Sequence, residues 1–410
     1  DGTNGFRLDG VSPYDYAGSS VSHAGDVNGD GIDDVIVGAD YGDPDGTSEG
    51  GEAYVVFGST TPFGPSLALS SLDGVTGFRL DGINSFDYAA DEVSNAGDVN
   101  GDGIDDLIVG ALYADPGGNG YAGEAYVVFG ATAGFASSLA LSSLNGTNGF
   151  RLDGVSPYDN AGVSVSHAGD VNGDGIDDVI VGALYADPGG ASSAGETYVV
   201  FGSTSPFAPS LALSSLDGDN GFRLDGIDGG DYSGGAVSSA GDVTGDGVDG
   251  PLISATGAAQ NGDTSTGETY VVFGATGGFG ASLALSALDG TNGYRLDGID
   301  QADNSGFSIS GAGDVNGDGI DDLVIGAIGG DPNGSNSGES YVVFGRNAPP
   351  KAADDAFTTS EDTPFAGNVL ADNGAGPDLD DSPSDLLSVV AVNGVEEDIG
   401  AQITLPPGAL

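Results

Sequence analysis

The chain has 410 residues and a formal net charge of −56, with seven Lys and Arg against 63 Asp and Glu. A surface this acidic repels nucleic acid and anionic membranes, whose phosphates are bound through clusters of Lys and Arg. It is suited instead to the binding of divalent cations, to high-salt surroundings, or to both. Cysteine is absent, which excludes disulfides, thiol nucleophiles and zinc–thiolate sites. The sequence has no apolar run of 18 residues, so it predicts no membrane-spanning helix.

A unit of 72 residues repeats along most of the chain. Its clearest marker, DVNGDGIDD, begins at Asp26, Asp98, Asp170 and Asp314, and a degraded copy, DVTGDGVDG, begins at Asp242. A fixed long period is typical of a fold that is built as an array of like units. Glycine and proline recur at fixed positions of the unit, which favours ordered turns over disorder.

Each unit is predicted to form four short strands that are bounded by Gly, Asp and Pro. In the first unit the strand candidates are GFRLDG (5–10), an alternating stretch (20–24), the apolar run DVIVGA (34–39) and GEAYVVFG (51–58). Variable loops separate them, and a linker of the type SLALSSLDG closes the unit. We predict this linker as a short strand or one helical turn. No segment has a helical period over the length that helices need.

Four strands per unit, repeated five times, predict an all-β fold: a five-bladed β-propeller with one four-stranded sheet per blade. A solenoid is the alternative architecture. The chain ends favour a ring. The fifth unit ends at YVVFG (341–345) with no GFRLDG after it, and the opening strand, Phe6-Arg7-Leu8, can supply the missing outer strand. We therefore expect the N-terminal strand to close the propeller.

The Asp-rich loop spaces oxygen atoms as a calcium site does. Ca²⁺ prefers about six to eight oxygens at about 2.3–2.6 Å. In the first unit the side chains of Asp26, Asn28, Asp30 and Asp34 and the carbonyl of Ile32 occupy the ligand positions. The Glu that closes an EF-hand loop is missing, so Asp34 supplies the closing carboxylate. The equivalent predicted ligand sets are Asp98, Asn100, Asp102, Ile104 and Asp106; Asp170, Asn172, Asp174, Ile176 and Asp178; and Asp314, Asn316, Asp318, Ile320 and Asp322.

The loop of the fourth unit departs from this pattern. Asp242, Thr244, Asp246 and the carbonyl of Val248 are in place, but Gly250 stands where the closing carboxylate should be. We predict that this loop is empty or binds weakly, so that the chain binds about four calcium ions. The alternative is that Asp, Asn and Gly only make turns. Four copies with the same ligand spacing disfavour it.

The unit resembles the FG-GAP repeat of integrin α-chain propellers and of their bacterial relatives. The matching residues run from Tyr16-Ala17-Gly18 through DVNGDGIDDVIVGA to the YVVFG strand, and the resemblance covers residues 1–346. It implies that the Asp-rich loop joins the first two strands of a blade and that GFRLDG is the outer strand of the preceding blade. The chain departs from the integrin pattern in having five units rather than seven.

The composition changes after Arg346. Residues 347–352 are interpreted as a linker. Residues 353–410 resemble the opening of bacterial cadherin-like or immunoglobulin-like tandem modules, through phrases such as TSEDTP (359–364) and AVNG (391–394). This resemblance implies an incomplete, β-sandwich-like segment and a longer, multi-module parent chain.

The chain has few basic residues and histidines, so the role of each can be considered separately. One Arg and one Glu recur in each unit, and we interpret them as one structural ion pair or backbone contact per blade, not as a ring for anionic ligands. The sequence leaves the partner of each Arg open. His23 and His167 are not predicted to bind metal or to act in catalysis. The recurring residues are Arg7, Arg79, Arg151, Arg223 and Arg295, with Glu52, Glu124, Glu196, Glu268 and Glu339.

These features favour a non-enzymatic, calcium-stabilised propeller in a secreted or surface protein of a bacterium. No nucleophile elbow, P-loop or zinc motif occurs in the sequence. The loops at 12–19 and 40–50 differ between units while the strands do not, and we expect such loops to bind a protein or glycan partner in adhesion. Two alternatives stay open. The chain is a structural spacer or surface-layer module, or it is an accessory module of a larger secreted hydrolase.

Overall fold

The structure is a computed structural model that describes residues 2, 4–259 and 263–346. The predicted linker (347–352) and the predicted C-terminal module (353–410) lie outside the described residues. The regular structure of the described part consists of β-strands and short 3-10 turns. No helix in this part is long and apolar enough to cross a membrane.

In the part of the chain that the structure describes, twenty-four strands follow one another with the 72-residue period. In chain order they are β1 (Arg7–Asp9), β2 (Val21–Gly25), β3 (Asp34–Ala39), β4 (Glu52–Val56), β5 (Ser66–Ala68), β6 (Gly77–Asp81), β7 (Val93–Gly97), β8 (Asp106–Ala111), β9 (Glu124–Val128), β10 (Ser138–Ala140), β11 (Gly149–Asp153), β12 (Ser164–Gly169), β13 (Asp178–Ala183), β14 (Glu196–Val200), β15 (Ser210–Ala212), β16 (Gly221–Asp225), β17 (Ser233–Gly241), β18 (Gly250–Ala255), β19 (Glu268–Val272), β20 (Ser282–Ala284), β21 (Gly293–Asp297), β22 (Ser305–Gly313), β23 (Asp322–Ala327) and β24 (Glu339–Val343).

In the described residues β1 and β5 form a two-stranded sheet, and the other strands form five successive sheets, numbered here 1 to 5 in chain order. Sheets 1 to 3 have the strand orders β2-β3-β4-β6-β10, β7-β8-β9-β11-β15 and β12-β13-β14-β16-β20. Sheets 4 and 5 have the orders β17-β18-β19-β21 and β22-β23-β24 in the described residues. The first four strands of sheets 1 to 4 are antiparallel, and the fourth is always the GFRLD-type strand, as the family resemblance implied. This is an all-β array of repeated four-stranded sheets, the architecture of propeller blades.

The linker of each unit contains both of the structures that its sequence allowed. Ser138–Ala140 forms a three-residue strand that pairs in parallel with β6, and a 3-10 turn, Leu141–Ser143, follows directly. This strand adds an outer edge to the sheet of the preceding unit, so the linker joins consecutive sheets.

The predicted closure by the N-terminal strand is not found. β1 pairs in parallel with β5, with Arg7 opposite Ser66 and Asp9 opposite Ala68. This register is the one that β6 makes with β10, where Arg79 lies opposite Ser138. Within the described residues β1 does not pair with β24, and sheet 5 has three strands. In the described residues the opening strand therefore pairs with its linker strand as β6 pairs with β10, but it has no counterpart of the β4 partner of β6, and the described array is open.

The apolar core lies between consecutive sheets, whose innermost strands are neighbours. Ile108, Val127 and Phe150 of sheet 2 pack with Val165 and Val179 of sheet 3, and all are buried. An internal sheet is covered on both faces, which explains why runs such as VIVGA are continuously apolar instead of alternating.

In the described residues, the inner part of one face of the first sheet has no neighbouring sheet, and an apolar side chain there is exposed. Val21 in β2 is 67% exposed, whereas Val93 at the same position of sheet 2 is 2% exposed. The two valines occupy equivalent positions of equivalent strands. The difference in their burial therefore comes from the neighbouring sheet that packs on Val93.

Candidate functional sites

Each sheet has two chemically different ends. β2 runs into the Asp-rich loop and β3 runs out of it, so this loop lies at one end of sheet 1. The loop before β2 and the loop after β3 lie together at the opposite end, because antiparallel neighbours start and finish at opposite edges. The same order of elements recurs in the following units. The predicted metal ligands and the variable loops are therefore separated by the length of a strand.

Local hydrogen bonds give the Asp-rich loop its shape. The carboxylate of Asp26 accepts hydrogen bonds from the backbone N–H groups of Asp30 (2.9 Å) and Gly31 (2.7 Å). The Asn28 side chain accepts a second bond from Asp30 (2.9 Å), and the Asp30 carboxylate accepts one from Ile32 (3.0 Å). Short side chains that bond to their own backbone two to five residues on are what make Asp and Asn turn formers.

The closing Asp anchors the loop to the sheet. Asp34 is buried, and its two carboxylate oxygens accept hydrogen bonds from Gly58 N–H (2.7 Å) and Val27 N–H (3.2 Å). Burial raises the pKa of Asp34 to about 6, and the other carboxylates of the loop add to the rise. Burial likewise raises the pKa of Asp106 and of Asp178 to about 8 in sheets 2 and 3.

The donor set of an intact loop fits calcium by its chemistry. It consists of three carboxylates, one amide oxygen and one peptide carbonyl, all of them hard oxygens. In the described residues, the side chains of His, Asp and Glu do not form groups of three around a point where a metal ion could be held. The carboxylates are hydrogen bonded to backbone N–H groups instead. A cation among them would offset the cost that burial imposes on the closing carboxylate.

The loop of the fourth unit keeps its turn but not its closing group. Asp242 still accepts hydrogen bonds from its loop, among them one from Gly247 N–H (2.8 Å). Gly250 and Pro251 begin the next strand. A Cβ atom at Gly250 would lie 2.2 Å from the carbonyl oxygen of Val272. The backbone of this strand therefore has no room for the missing carboxylate.

A second Asp in the loops of units 2 to 5, which the sequence analysis did not single out, links each of these loops to the loop before it. The Asp105 carboxylate of the second loop accepts a hydrogen bond from the backbone N–H of Asp26 in the first (2.7 Å). We call these contacts the inter-loop bonds. The equivalent bonds run from Asp98 to Asp177 (2.8 Å), from Asp170 to Asp249 (3.1 Å) and from Asp242 to Asp321 (3.0 Å). The recurrence of this second Asp in the motif was the only sequence signal for the bond. It did not reveal the partner, which lies 79 residues away in the chain.

The opposite end of the sheets carries a row of tyrosines that the sequence analysis also missed. Neighbouring rings meet edge to face or tilted, with centroids 5.0 Å apart for Tyr41 and Tyr88 and 5.7 Å apart for Tyr121 and Tyr158. The sequence signal was the recurrence of Tyr at intervals of 72 residues in both variable loops. The tyrosine row consists of Tyr16, Tyr41, Tyr88, Tyr113, Tyr121, Tyr158, Tyr185 and Tyr232.

Several of these tyrosines have left-handed backbone conformations. Tyr121 has φ of 57° and Tyr158 has φ of 71°. This region costs a residue with a side chain about 1–2 kcal/mol, and glycine tolerates it. Gly230 occupies the position of Tyr158 in the fourth unit. Exposed aromatic residues in a costly conformation are typical of a functional surface.

The recurring Arg residues are structural, and the structure identifies their partners. Arg79 lies 3.3 Å from Glu52 and also pairs with Asp81. The buried Tyr54 hydroxyl donates to the same Glu52. Arg151, Arg223 and Arg295 make equivalent pairs with Glu124 (3.5 Å), Glu196 (3.6 Å) and Glu268 (3.3 Å). The interpretation as one ion pair per blade is confirmed for these four.

Of the two histidines, His167 has a defined partner. Its Nε2 lies 3.3 Å from the Asp177 carboxylate, the group that makes an inter-loop bond.

Comparison with protein-family models identifies the repeat. Residues 17–56, 92–128, 161–200 and 305–343 each match the FG-GAP repeat. The chain contains four FG-GAP repeats. The matches fall on the units with intact Asp-rich loops, while the unit that contains Gly250 is not among them. The resemblance inferred from the loop motif is confirmed for these units.

Part of the chain is similar to parts of larger proteins. Integrin alpha-PS2 of Drosophila melanogaster is 32% identical over 219 residues, which cover 52% of this chain and 14% of the relative. Integrin alpha-IIb of Homo sapiens is 31% identical over 183 residues, 44% of this chain and 16% of the relative. Phosphatidylinositol-glycan-specific phospholipase D of Bos taurus is 32% identical over 183 residues, 45% and 20% respectively. The matched region therefore spans a fifth or less of each of these relatives.

Proposed function

We propose that the part of the chain that contains the FG-GAP repeats, residues 17–343, here called the FG-GAP region, is a non-enzymatic, calcium-stabilised recognition module of a secreted or surface protein, in which it acts in adhesion by binding a protein or glycan. The observation that supports this proposal is the separation of chemistry along sheets 1 to 3. Acidic loops that suit calcium lie at one end, and exposed tyrosines on variable loops lie at the other. Rigid scaffolds commonly carry recognition on loops of this kind.

Calcium has a structural role in this proposal. Three carboxylates in one loop repel each other, and Ca²⁺ removes that repulsion while it ties the first two strands of a sheet together. The ion would be held by the side chains of Asp26, Asn28, Asp30 and Asp34 and the carbonyl of Ile32, and by the equivalent groups of units 2, 3 and 5. Extracellular modules bind Ca²⁺ with Kd of about 10⁻⁴ to 10⁻³ M.

Thermal unfolding of the full chain with calcium and with excess chelator tests the calcium part. A ligand that binds only the folded state at about 100 times its Kd stabilises by about 2.7 kcal/mol, so chelator should lower Tm. Calorimetric titration should give about four sites, one for each intact loop. An unchanged Tm, or five equal sites, would contradict the proposal.

Binding assays test the recognition part. The full chain is immobilised and probed with purified extracellular proteins and with a glycan array, in calcium and in chelator. A recognition module should capture a ligand in calcium and lose it as the sheets loosen in chelator. A structural spacer should capture nothing in either condition, although its Tm would still respond to calcium.

The relatives favour a second candidate function. Phosphatidylinositol-glycan-specific phospholipase D, whose name denotes a hydrolase, matches this chain over a fifth of its own length. By analogy the FG-GAP region would be an accessory module beside a catalytic domain. The coding sequence next to residue 1 in the source genome tests this candidate. A hydrolase domain there would support it, and a series of further adhesion modules would favour the first proposal.

A further inference from the structure

We propose that a groove within the tyrosine row, between Tyr158 and Tyr185, binds a neutral saccharide. This inference rests on the proposed recognition function and names the class of ligand. Ring contacts in the row run from Tyr113 to Tyr121 (5.4 Å) and on to Tyr158 (5.7 Å). In the described residues they resume only between Tyr185 and Tyr232 (5.8 Å). The groove occupies this interruption.

The dimensions and lining of the groove suit a small polar ligand. Its volume is about 460 Å³, within the range of about 300–1,000 Å³ that is usual for small-molecule sites. It is widely open to solvent, so a longer chain could extend beyond it. Its lining combines aromatic rings with amide, hydroxyl and carboxylate groups, including those of Tyr113, Tyr121, Tyr158, Asn160, Tyr185 and Asp187.

The tyrosines of the groove are available to a ligand. Tyr158 is 65% exposed, and Tyr113, Tyr121 and Tyr185 are also exposed. Within the described residues the hydroxyls of these four make no hydrogen bond to the protein, whereas the hydroxyl of Tyr88 donates to Glu49. The rings therefore present apolar surface together with unused donors and acceptors.

A saccharide matches this combination more closely than other ligand classes. One face of a sugar ring is lined by C–H groups that pack on an aromatic ring, and its edge is lined by hydroxyls that bond to phenol, amide and serine groups. Anionic saccharides are disfavoured because the chain carries a net charge of −56 and Asp187 lines the groove. The lining of the groove favours a saccharide and the negative charge disfavours an anionic one, so we infer a neutral saccharide.

A basic peptide is the competing ligand, since tyrosine faces and a negative field attract cations. The carboxylates of the groove are already engaged, however. Asp187 accepts a hydrogen bond from Ser193 N–H (2.7 Å). Asp159 is buried and accepts one from Ser156 N–H (3.0 Å). In each carboxylate one oxygen is therefore engaged, so an Arg that donated two parallel N–H groups would have to share that oxygen with the backbone.

The chain itself supplies a test variant and a matched control. Tyr158→Gly copies Gly230, which stands at this position in the fourth unit. Tyr14→Gly changes the same position in the first unit, where Tyr14 has φ of 73° and is 81% exposed, and does not line the groove. Both changes relieve the left-handed backbone, so neither should lower Tm.

The full chain in calcium is screened against neutral glucan, mannan and galactan oligosaccharides, sulfated and sialylated oligosaccharides, and a Lys- and Arg-rich peptide. The strongest neutral oligosaccharide is then titrated by calorimetry into both variants. We expect Tyr158→Gly to weaken its binding at least tenfold and Tyr14→Gly to change it less than twofold. An equal loss in both variants, or no binding of any neutral saccharide, would overturn the proposal.

The remaining outcomes separate this inference from the function on which it rests. Peptide binding that Tyr158→Gly abolishes, with no saccharide bound, overturns the ligand class and leaves a recognition module. Binding of none of these probes and of none of the extracellular proteins, with a calcium-dependent Tm, overturns the recognition function together with the saccharide.

Discussion

Asp249 accepts a hydrogen bond from the backbone N–H of Asp170 (3.1 Å), although the loop that contains Asp249 has lost its closing carboxylate. The N–H of Asp249 in turn donates to the carbonyl of Asp170 (3.2 Å). The degraded loop therefore still holds its neighbour in place. Two roles that coincide in the other loops, ligand spacing and contact between sheets, are separated here. In the fourth unit the contact between sheets is kept, although the ligand spacing is lost.

Removal of one inter-loop bond should destabilise the array, and the first unit provides the control. Asp105→Ala leaves the N–H of Asp26 without its acceptor, which should lower the free energy of unfolding by about 1–3 kcal/mol. Asp33 is the equivalent residue of the first loop and is exposed. Asp33→Ala should change stability by about 0.5 kcal/mol or less. Urea unfolding in calcium measures both, and equal effects would mean that the inter-loop bond contributes nothing.

The missing calcium ligand should not return by a single substitution. In Gly250→Asp the new Cβ would lie 2.2 Å from the Val272 carbonyl, so we expect a loss of about 1–3 kcal/mol and no additional calcium site. Pro251 also lacks the N–H group with which a strand residue pairs, whereas Val35 in sheet 1 is paired with Val56. The double variant Gly250→Asp with Pro251→Val should bind one more calcium ion by calorimetry. A fifth site in the single variant would refute this account.

Glu92 should make stability depend on pH. Burial raises its pKa to about 7, and the neighbouring Asp91 carboxylate adds to the rise. Between about pH 4.5 and pH 7 the folded state keeps a proton that the unfolded state releases, so the free energy of unfolding falls as pH rises through this window. Glu92→Gln should reduce that slope, to which other buried carboxyl groups such as Asp106 also contribute, and should stabilise the protein by about 1–3 kcal/mol at pH 7.

Urea unfolding at pH 5 and pH 7 measures the difference, and Asp219→Asn, at an exposed turn, serves as control. A slope that Glu92→Gln leaves unchanged would assign the pH dependence to other groups.

The first sheet should respond to truncation differently from the internal sheets. Val93→Ala removes buried methyl groups between sheets 1 and 2 and should cost about 2 kcal/mol. Val21→Ala changes the same position on the uncovered face of sheet 1 and should cost about 0.5 kcal/mol or less. Urea unfolding of the two variants at several protein concentrations provides the comparison. An equal cost that depends on concentration would mean that another copy of the chain covers this face.

The local features of this protein could be predicted from its sequence. The strands β3 and β4 follow from short apolar runs between turn residues, and the Asp-rich loops follow from side chains such as Asp26 and Asp30, which bond to backbone groups a few residues away. Because the same segments recur every 72 residues, a prediction made for one unit applies to the others. Such features depend on neighbours within one hairpin, which the order of residues specifies directly.

Only the tertiary structure decided how the units meet. In the structure β1 pairs with β5 and not with β24. The sequence did not decide between these partners, because all GFRLD-type strands share one pattern and differ only in their position along the array. The tertiary structure brought Asp105 to Asp26 and Tyr41 to Tyr88 across a boundary between sheets. Contacts of this kind depend on the angle and spacing of packed sheets. The summed packing of many side chains sets that geometry, and no single motif encodes it.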